Sequence, residues 1–425
     1  MPEHRLTELD SGVRVVTEDM PSVRSVALGF FVGAGSRAEE ESQAGLSHLL
    51  EHLLFRGSAR FSSIEVDQLF DAMGAELNAG TGKEMTSVYA RVLDRHLPRA
   101  FEVVSDIVWR PGLDEIDAER AVVLEEIAMY EDDPQDKVFD VLGSAVFGEH
   151  PLGRSIIGRA QVISGAPPEE IVDFHRSRYV PANVVIAAAG SIDHEQVVAM
   201  AREHGAEARG MRPPSPAAPT DLGASVCFEA KDTEQYHVCL GAPGLARDDD
   251  RRFALRVLDN ILGGTSSSRL FQEVRERRGL AYAVYSFSAQ YADTGQVGVY
   301  VGTRGDNLAE ALEVVAAELE KAREHPASEA ELQRSKENVK GRLVLSLEST
   351  TTRMNRLGSS VLGGVPLLSV DELIERIDAV TMDDLCELVG ELYAAPRLSA
   401  AGIGPDREAF ERALEPIGTV AAGAA

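Results

Sequence analysis

The sequence predicts an α+β protein built from two copies of one α/β unit. Three observations carry that expectation: strand-like runs alternate with helical periodicity, a stretch rich in proline and glycine interrupts the pattern, and the order of elements then begins again. The 425 residues are too many for one ordinary hydrophobic core.

In the first half, VRVVTE (13–18) and SVALGFFVGAGS (25–36) read as strands. GLSHLLEHLLFRG (45–57) places apolar side chains at 46, 49, 50, 53 and 54, the spacing of a helix with one buried face. DEIDAERAVVLEEIAMYEDDP (114–134) reads as a second helix, and ANVVIAAAG (182–190) as a later buried strand. The segment 205–224, GAEARGMRPPSPAAPTDLGA, has no apolar period and reads as a linker. Beyond it SVCFEA and YHVCLGAPG are strand-like, RRFALRVLDNILGG is helical, and VGVYVGTR precedes a long helical pattern from Asn307 to His325. The expected organisation is a domain over 1–204, a linker over 205–224 and a duplicate domain over 225–425. Overlaying the two leucine-rich helices with an offset of 208 (256 − 48) puts His48 on Arg256, Glu51 on Asp259 and His52 on Asn260. The duplicate therefore lacks the histidines.

Charged residues make up 26% and hydrophobic residues 44%, the balance of a soluble globular chain. The formal net charge of -27, from 69 acidic and 42 basic side chains, repels nucleic acid and anionic lipid and favours basic peptides as partners, besides aiding solubility. Cys227, Cys239 and Cys386 fit no zinc-knuckle spacing and are expected to be reduced thiols. The sequence shows no signal-peptide pattern and no apolar run long enough for membrane insertion, so a cytoplasmic location is expected.

The chemistry concentrates in HLLEH. His48 and His52 are four residues apart, so both imidazoles leave one helix face a turn apart, as two ligands of a tetrahedral zinc ion do. Glu51 lies on the adjoining edge, where a carboxylate can serve as general base for a metal-activated water. The inverted order HxxEH is a known catalytic pattern, but it also describes two histidines on an ordinary amphipathic helix. A third ligand is needed. The helical segment 114–134 offers Glu119, Glu125 and Glu126, and Glu119 and Glu126 are two turns apart on one face. A closed structural zinc site normally takes four Cys or His ligands, which this set does not supply.

HLLEH with Glu126 following His52 by 74 positions (126 − 52) resembles the pitrilysin-type M16 zinc metallopeptidases, the inverzincins, and most closely their bacterial two-domain members similar to the mitochondrial processing peptidase β subunit. The resemblance implies two α/β-sandwich domains and one Zn2+ per chain, held by His48, His52 and Glu126. It makes Glu51 and Glu119 catalytic. LNAGTGKEMTSVYA (77–90) resembles the family's edge-strand motif, which implies that Asn78 and Ala79 pair with the substrate backbone. HPLGRSIIG (150–158) and YVPANVVIAAAG (179–190) are family-like too, and His150 is expected not to be a ligand. LFQEVRERRGLAYAVYS (270–286) resembles the segment in which the family keeps an arginine and a tyrosine seven residues apart, matched by Arg275 and Tyr282. Their implied role is to bind the substrate carbonyl and stabilise the oxyanion. In the long four-domain relatives these two residues come from the last domain and face the zinc of the first, so a two-domain chain is expected to form a clamshell-type homodimer, or a heterodimer with a related chain. The implied activity is endopeptidase. The other expectation is a non-catalytic core or scaffold subunit of the same fold.

Overall fold

A computed structural model describes residues 4–113, 115–206, 210–214, 216–220 and 222–418. Packing divides the chain into two compact units. The first comprises Met1–Ala128, Ser155–Pro216 and Val344–Ser369; the second comprises Met129–Arg154, Ala217–Leu343 and Val370–Ala425.

The first unit holds a six-stranded sheet. Its strands are β1 (Arg5–Glu8), β2 (Arg14–Asp19), β3 (Ser25–Val32), β4 (Glu76–Thr81), β5 (Thr86–Leu93) and β6 (Val184–Gly190), in the order β1-β2-β6-β3-β5-β4. β2 and β6 are parallel and every other neighbouring pair is antiparallel. The run at 25–36 is a strand only as far as Val32. In β3, Val26, Leu28, Phe30 and Val32 point to one face, while Ala27 and Phe31 point to the other, and all are buried. A strand apolar on both sides needs cover on both sides. On one face lie the helices α1 (Leu46–Leu54), α2 (Ser63–Met73) and α3 (Leu97–Trp109), whose Leu50, Leu53, Phe70, Phe101 and Val104 join the main core. The other face is covered by the helix Thr350–Gly363, with Met354 and Leu357 against Val16, Phe31, Val185 and Ala187. Gly358 permits that approach, since a Cβ there would fall 2.2 Å from Phe31 ring carbons.

The second unit holds β7 (Val226–Ala230), β8 (Gln235–Gly244), β9 (Ala281–Gln290), β10 (Gly295–Arg304) and β11 (Ser399–Gly404), in the order β7-β11-β8-β10-β9. Position by position this repeats β2-β6-β3-β5-β4, including the one parallel pair, β7 with β11. The helix Arg252–Leu262 follows β8 as α1 follows β3. The duplication expected from the sequence is thus present in topology and in strand polarity.

The units are not contiguous in sequence, and here the expected division at 1–204 and 225–425 needs correction. After α4 (Ile116–Asp132), the helix α5 (Pro134–Phe147) packs Val138, Leu142 and Val146 against Cys239, Tyr300 and Ile403 of the second unit. The helix Thr350–Gly363 covers the first sheet in the same way. Each sheet is covered on one face by a helix from the far side of the 205–224 segment, because amphipathic periodicity specifies that a face is buried but not which sheet buries it. Within that segment residues 207–209, 215 and 221 lie outside the described residues, and the described ones form neither helix nor strand. Among the described residues no helix is long and apolar enough to cross a membrane.

Candidate metal centre

The HLLEH helix is set by its start. Gly45 adopts φ 103, which favours glycine, and a Cβ there would fall 2.8 Å from Gly158 Cα. The buried Glu39 carboxylate accepts hydrogen bonds from Ser47 N at 2.7 Å and Gly45 N at 2.9 Å, so an anion satisfies two open amides at the positive end of the helix. Leu46, Leu49, Leu50, Leu53 and Leu54 then turn fully into the core, as their spacing predicts. His48 and His52 remain on the opposite edge, ring centroids 4.7 Å apart.

α4 supplies the third donor. His48 Nε2 lies 3.5 Å and His52 Nε2 3.2 Å from the same oxygen, Glu126 Oε2. Glu125 faces solvent, whereas Glu126 is half-buried against the histidines. Ligands about 2.0–2.1 Å from a tetrahedral zinc ion stand about 3.3–3.4 Å apart, which matches both separations. The charges agree with a cation. His52 Nδ1 lies 3.2 Å from Glu119 Oε2, and a carboxylate can only accept, so Nδ1 carries the proton. The remaining Nε2 lone pair then points at the Glu126 carboxylate, an arrangement that a metal ion between them makes favourable. Burial lowers the His48 pKa, with His52 adding to the effect against the pull of Glu126, which favours the neutral, metal-binding imidazole.

Glu119 is thereby placed behind His52 and not beside Glu126. It is almost fully buried and also takes the Arg56 guanidinium, so it fixes the His52 tautomer and ring orientation. The sequence expectation grouped it with the catalytic residues; its contacts are those of a positioning residue. Glu51 carries a raised pKa, chiefly from burial, and its Oε2 accepts a hydrogen bond from Thr81 Oγ1.

The chain as a whole is similar to known proteins. A family model described as Insulinase (Peptidase family M16) matches residues 14–160, and one described as Peptidase M16 inactive domain matches residues 166–339. Over 416 residues the chain is 42% identical to an uncharacterized zinc protease of Streptomyces coelicolor, covering 95% of this chain and 91% of that one. Over 406 residues it is 38% identical to an uncharacterized zinc protease of Bacillus subtilis, covering 93% and 98%. The chain belongs to the M16 peptidase family. A protease from Helicobacter pylori shares the fold, with TM-score 0.89 at 23% identity over 95% of this chain and 100% of that one.

The remaining M16-like positions fall in both units. Asn78 and Ala79 lie on β4, the last strand of the first sheet, and Asn78 Oδ1 accepts from Ala79 N at 2.8 Å. In the second unit Arg275 and Tyr282 meet: the guanidinium sits 4.2 Å from the tyrosine ring centroid and donates to Tyr282 O at 3.2 Å. Tyr282 is 78% exposed and so is not part of the core. His150 is engaged with backbone, near Ala217 O at 3.0 Å and accepting from Leu152 N at 3.2 Å. Two residues that contact this cluster were not singled out by the sequence, Arg56 against Glu119 and Thr81 against Glu51. Arg56 follows His52 by four residues but lies in the turn beyond the end of α1 at Leu54, so helical spacing does not single it out.

Proposed function

We propose that this chain is a zinc-dependent endopeptidase acting on short or unfolded polypeptides. The observation that carries this reading is the convergence of His48, His52 and Glu126, whose donor atoms lie within 4.8 Å of one another, beside the half-buried Glu51. Zinc held there would polarise the scissile carbonyl and lower the pKa of an attacking water to roughly 7. Glu51 receives the water proton and delivers it to the leaving amine. Glu119 holds the His52 ring, and Asn78 and Ala79 offer the free edge of β4 to an extended substrate. Arg275 and Tyr282 stabilise the oxyanion, supplied by a second copy in a homodimer. The net charge of -27 favours basic peptides, and that preference should fade as salt screens it.

A scaffold subunit would place no demand on Glu51, so the separation of base from ligand is the decisive test. Glu51→Gln should abolish hydrolysis and keep one zinc per chain by elemental analysis, while His52→Ala should lose both. A metal-free Glu51→Gln protein, or one with near-normal turnover, would refute the assignment.

A further inference from the structure

At the place equivalent to the metal centre, the second unit carries a different set of groups. Under the 208-residue offset Arg256 replaces His48 and Asn260 replaces His52. Asn260 Nδ2 donates to Asn338 Oδ1, on the helix Glu329–Ser346, at 2.9 Å. This amide pair repeats the approach of His52 to Glu126, with no charge on either side. Arginines occupy the adjoining helical turns: Arg256 stands one turn before Asn260, and Arg334 and Arg342 stand one turn before and one turn after Asn338. All three face solvent.

Among the described residues none of these three guanidinium groups has a hydrogen-bond or ion-pair partner. In a chain with 69 acids and 42 bases an acid is usually within reach, and other arginines of this unit have one: Arg251 takes Asp249 and Glu391, Arg269 takes Glu331, and Arg277 takes Glu273. Asp259 beside Arg256 turns inward instead, its Oδ2 accepting from Ser288 Oγ at 3.4 Å. Desolvation lowers the Arg256 pKa and the neighbouring Arg252 adds to this, with no carboxylate acting in the opposite direction. An incoming anion would offset the repulsion from Arg252.

We propose that this surface is a carboxylate-binding site, at which Arg256, Arg334 and Arg342 hold an acidic side chain or the free C-terminus of a peptide. The guanidinium fork matches a carboxylate bidentately, and the Asn260–Asn338 pair itself adds no carboxylate to this surface. The peptide nature of the ligand rests on the peptidase reading; the cationic surface does not.

The test is binding without turnover, by fluorescence anisotropy at low salt, using full-length Glu51→Gln protein and three fluorescein-labelled probes. One probe is a glycine–glutamate peptide with an amidated C-terminus, one a glycine–glutamine peptide with a free C-terminus, and one a glycine–glutamine peptide with an amidated C-terminus. Tighter binding of the first identifies side-chain carboxylates and tighter binding of the second identifies the C-terminus; either supports the site. Adding Arg256→Gln, Arg334→Gln and Arg342→Gln together should weaken that binding about tenfold, the combined effect of three exposed pairs. The corresponding lysine triple should retain most of it, and Arg412→Gln, whose side chain pairs with Glu408, should leave it unchanged. Equal affinity for all three probes, no loss in the glutamine triple while its melting curve matches the parent, or stronger competition by duplex DNA than by the glutamate peptide would each overturn the proposal. Hydrolysis by the wild-type chain is scored separately, so failure of the peptidase reading leaves the binding result intact.

Discussion

Glu51 is held by Thr81, which comes from the sheet and not from its own helix. Thr81 Oγ1 donates to Glu51 Oε2, and Thr86 Oγ1, 3.5 Å from Thr81 Oγ1, donates in turn to Ala34 O at 2.9 Å. Thr81→Val keeps the side-chain shape and removes the donor. A hydrogen bond to a charged group is worth about 1.5–3 kcal/mol, so kcat should fall by about tenfold or more. KM and zinc content should hardly move, and Thr81→Ser should restore the rate. Unchanged kcat in the valine variant would make Thr81 an ordinary strand residue. HLLEH was legible because its three functional residues lie within one helical turn, but Glu126 was not legible on periodicity alone: Glu119, Glu125 and Glu126 stood open until the resemblance chose among them. The structure supplies the physical distinction, with Glu125 exposed, Glu126 against both histidines and Glu119 behind His52. Thr81 was invisible in sequence because its contact joins residues thirty positions apart through tertiary packing.

β4 ends the first sheet, and its outward backbone is the surface a substrate strand would join. Asn78 shields it by holding Ala79 N–H with its own side chain. Ala79→Pro removes that donor without removing the side chain of Thr81, and proline is tolerated on edge strands. The expected result is a rise in KM of about tenfold, the worth of one backbone bond, with kcat and melting temperature little changed. An unaltered KM would take β4 out of substrate binding. Whereas β1 and β11 were not read, β2, β3, β6, β7, β8 and β10 were readable from strand-like runs, since residues such as Val26, Leu28 and Phe30 are buried wherever the sheet is placed. The exchange of helices was not, because the apolar face of Thr350–Gly363 fits either sheet equally well by period. That exchange has a measurable consequence. A fragment of residues 1–216 retains the first sheet but lacks Met354 and Leu357, leaving Val16, Phe31, Val185 and Ala187 bare. It should bind a hydrophobic dye or aggregate, in contrast to the full chain. A monomeric, cooperatively melting fragment would show the helix to be dispensable.

For the molecule as a whole, the two sheets share one topology, but among the described residues the candidate metal-binding trio lies with the first, while Arg275 and Tyr282 lie with the second. Duplication followed by divergence gives each unit half of the chemistry that the proposed reaction needs. The proposed homodimer supplies both halves at each of two symmetric sites, the metal and base from one copy and the arginine and tyrosine from the other. Subunit exchange between two inactive variants tests this directly. Glu51→Gln lacks the base, and Tyr282→Phe lacks the oxyanion donor while retaining the ring against which Arg275 packs. In a mixed dimer one site collects both lesions and the other has none. Random exchange makes about half of the dimers mixed, each with one intact site of two, so activity should recover to roughly a quarter of wild type. If base and donor served the same site from one chain, every site would keep a lesion and mixing would restore nothing. Absence of recovery after exchange has been verified by mass, or a monomer at assay concentration, would reject the shared site and leave the zinc-binding role of His48, His52 and Glu126 to be judged on its own test.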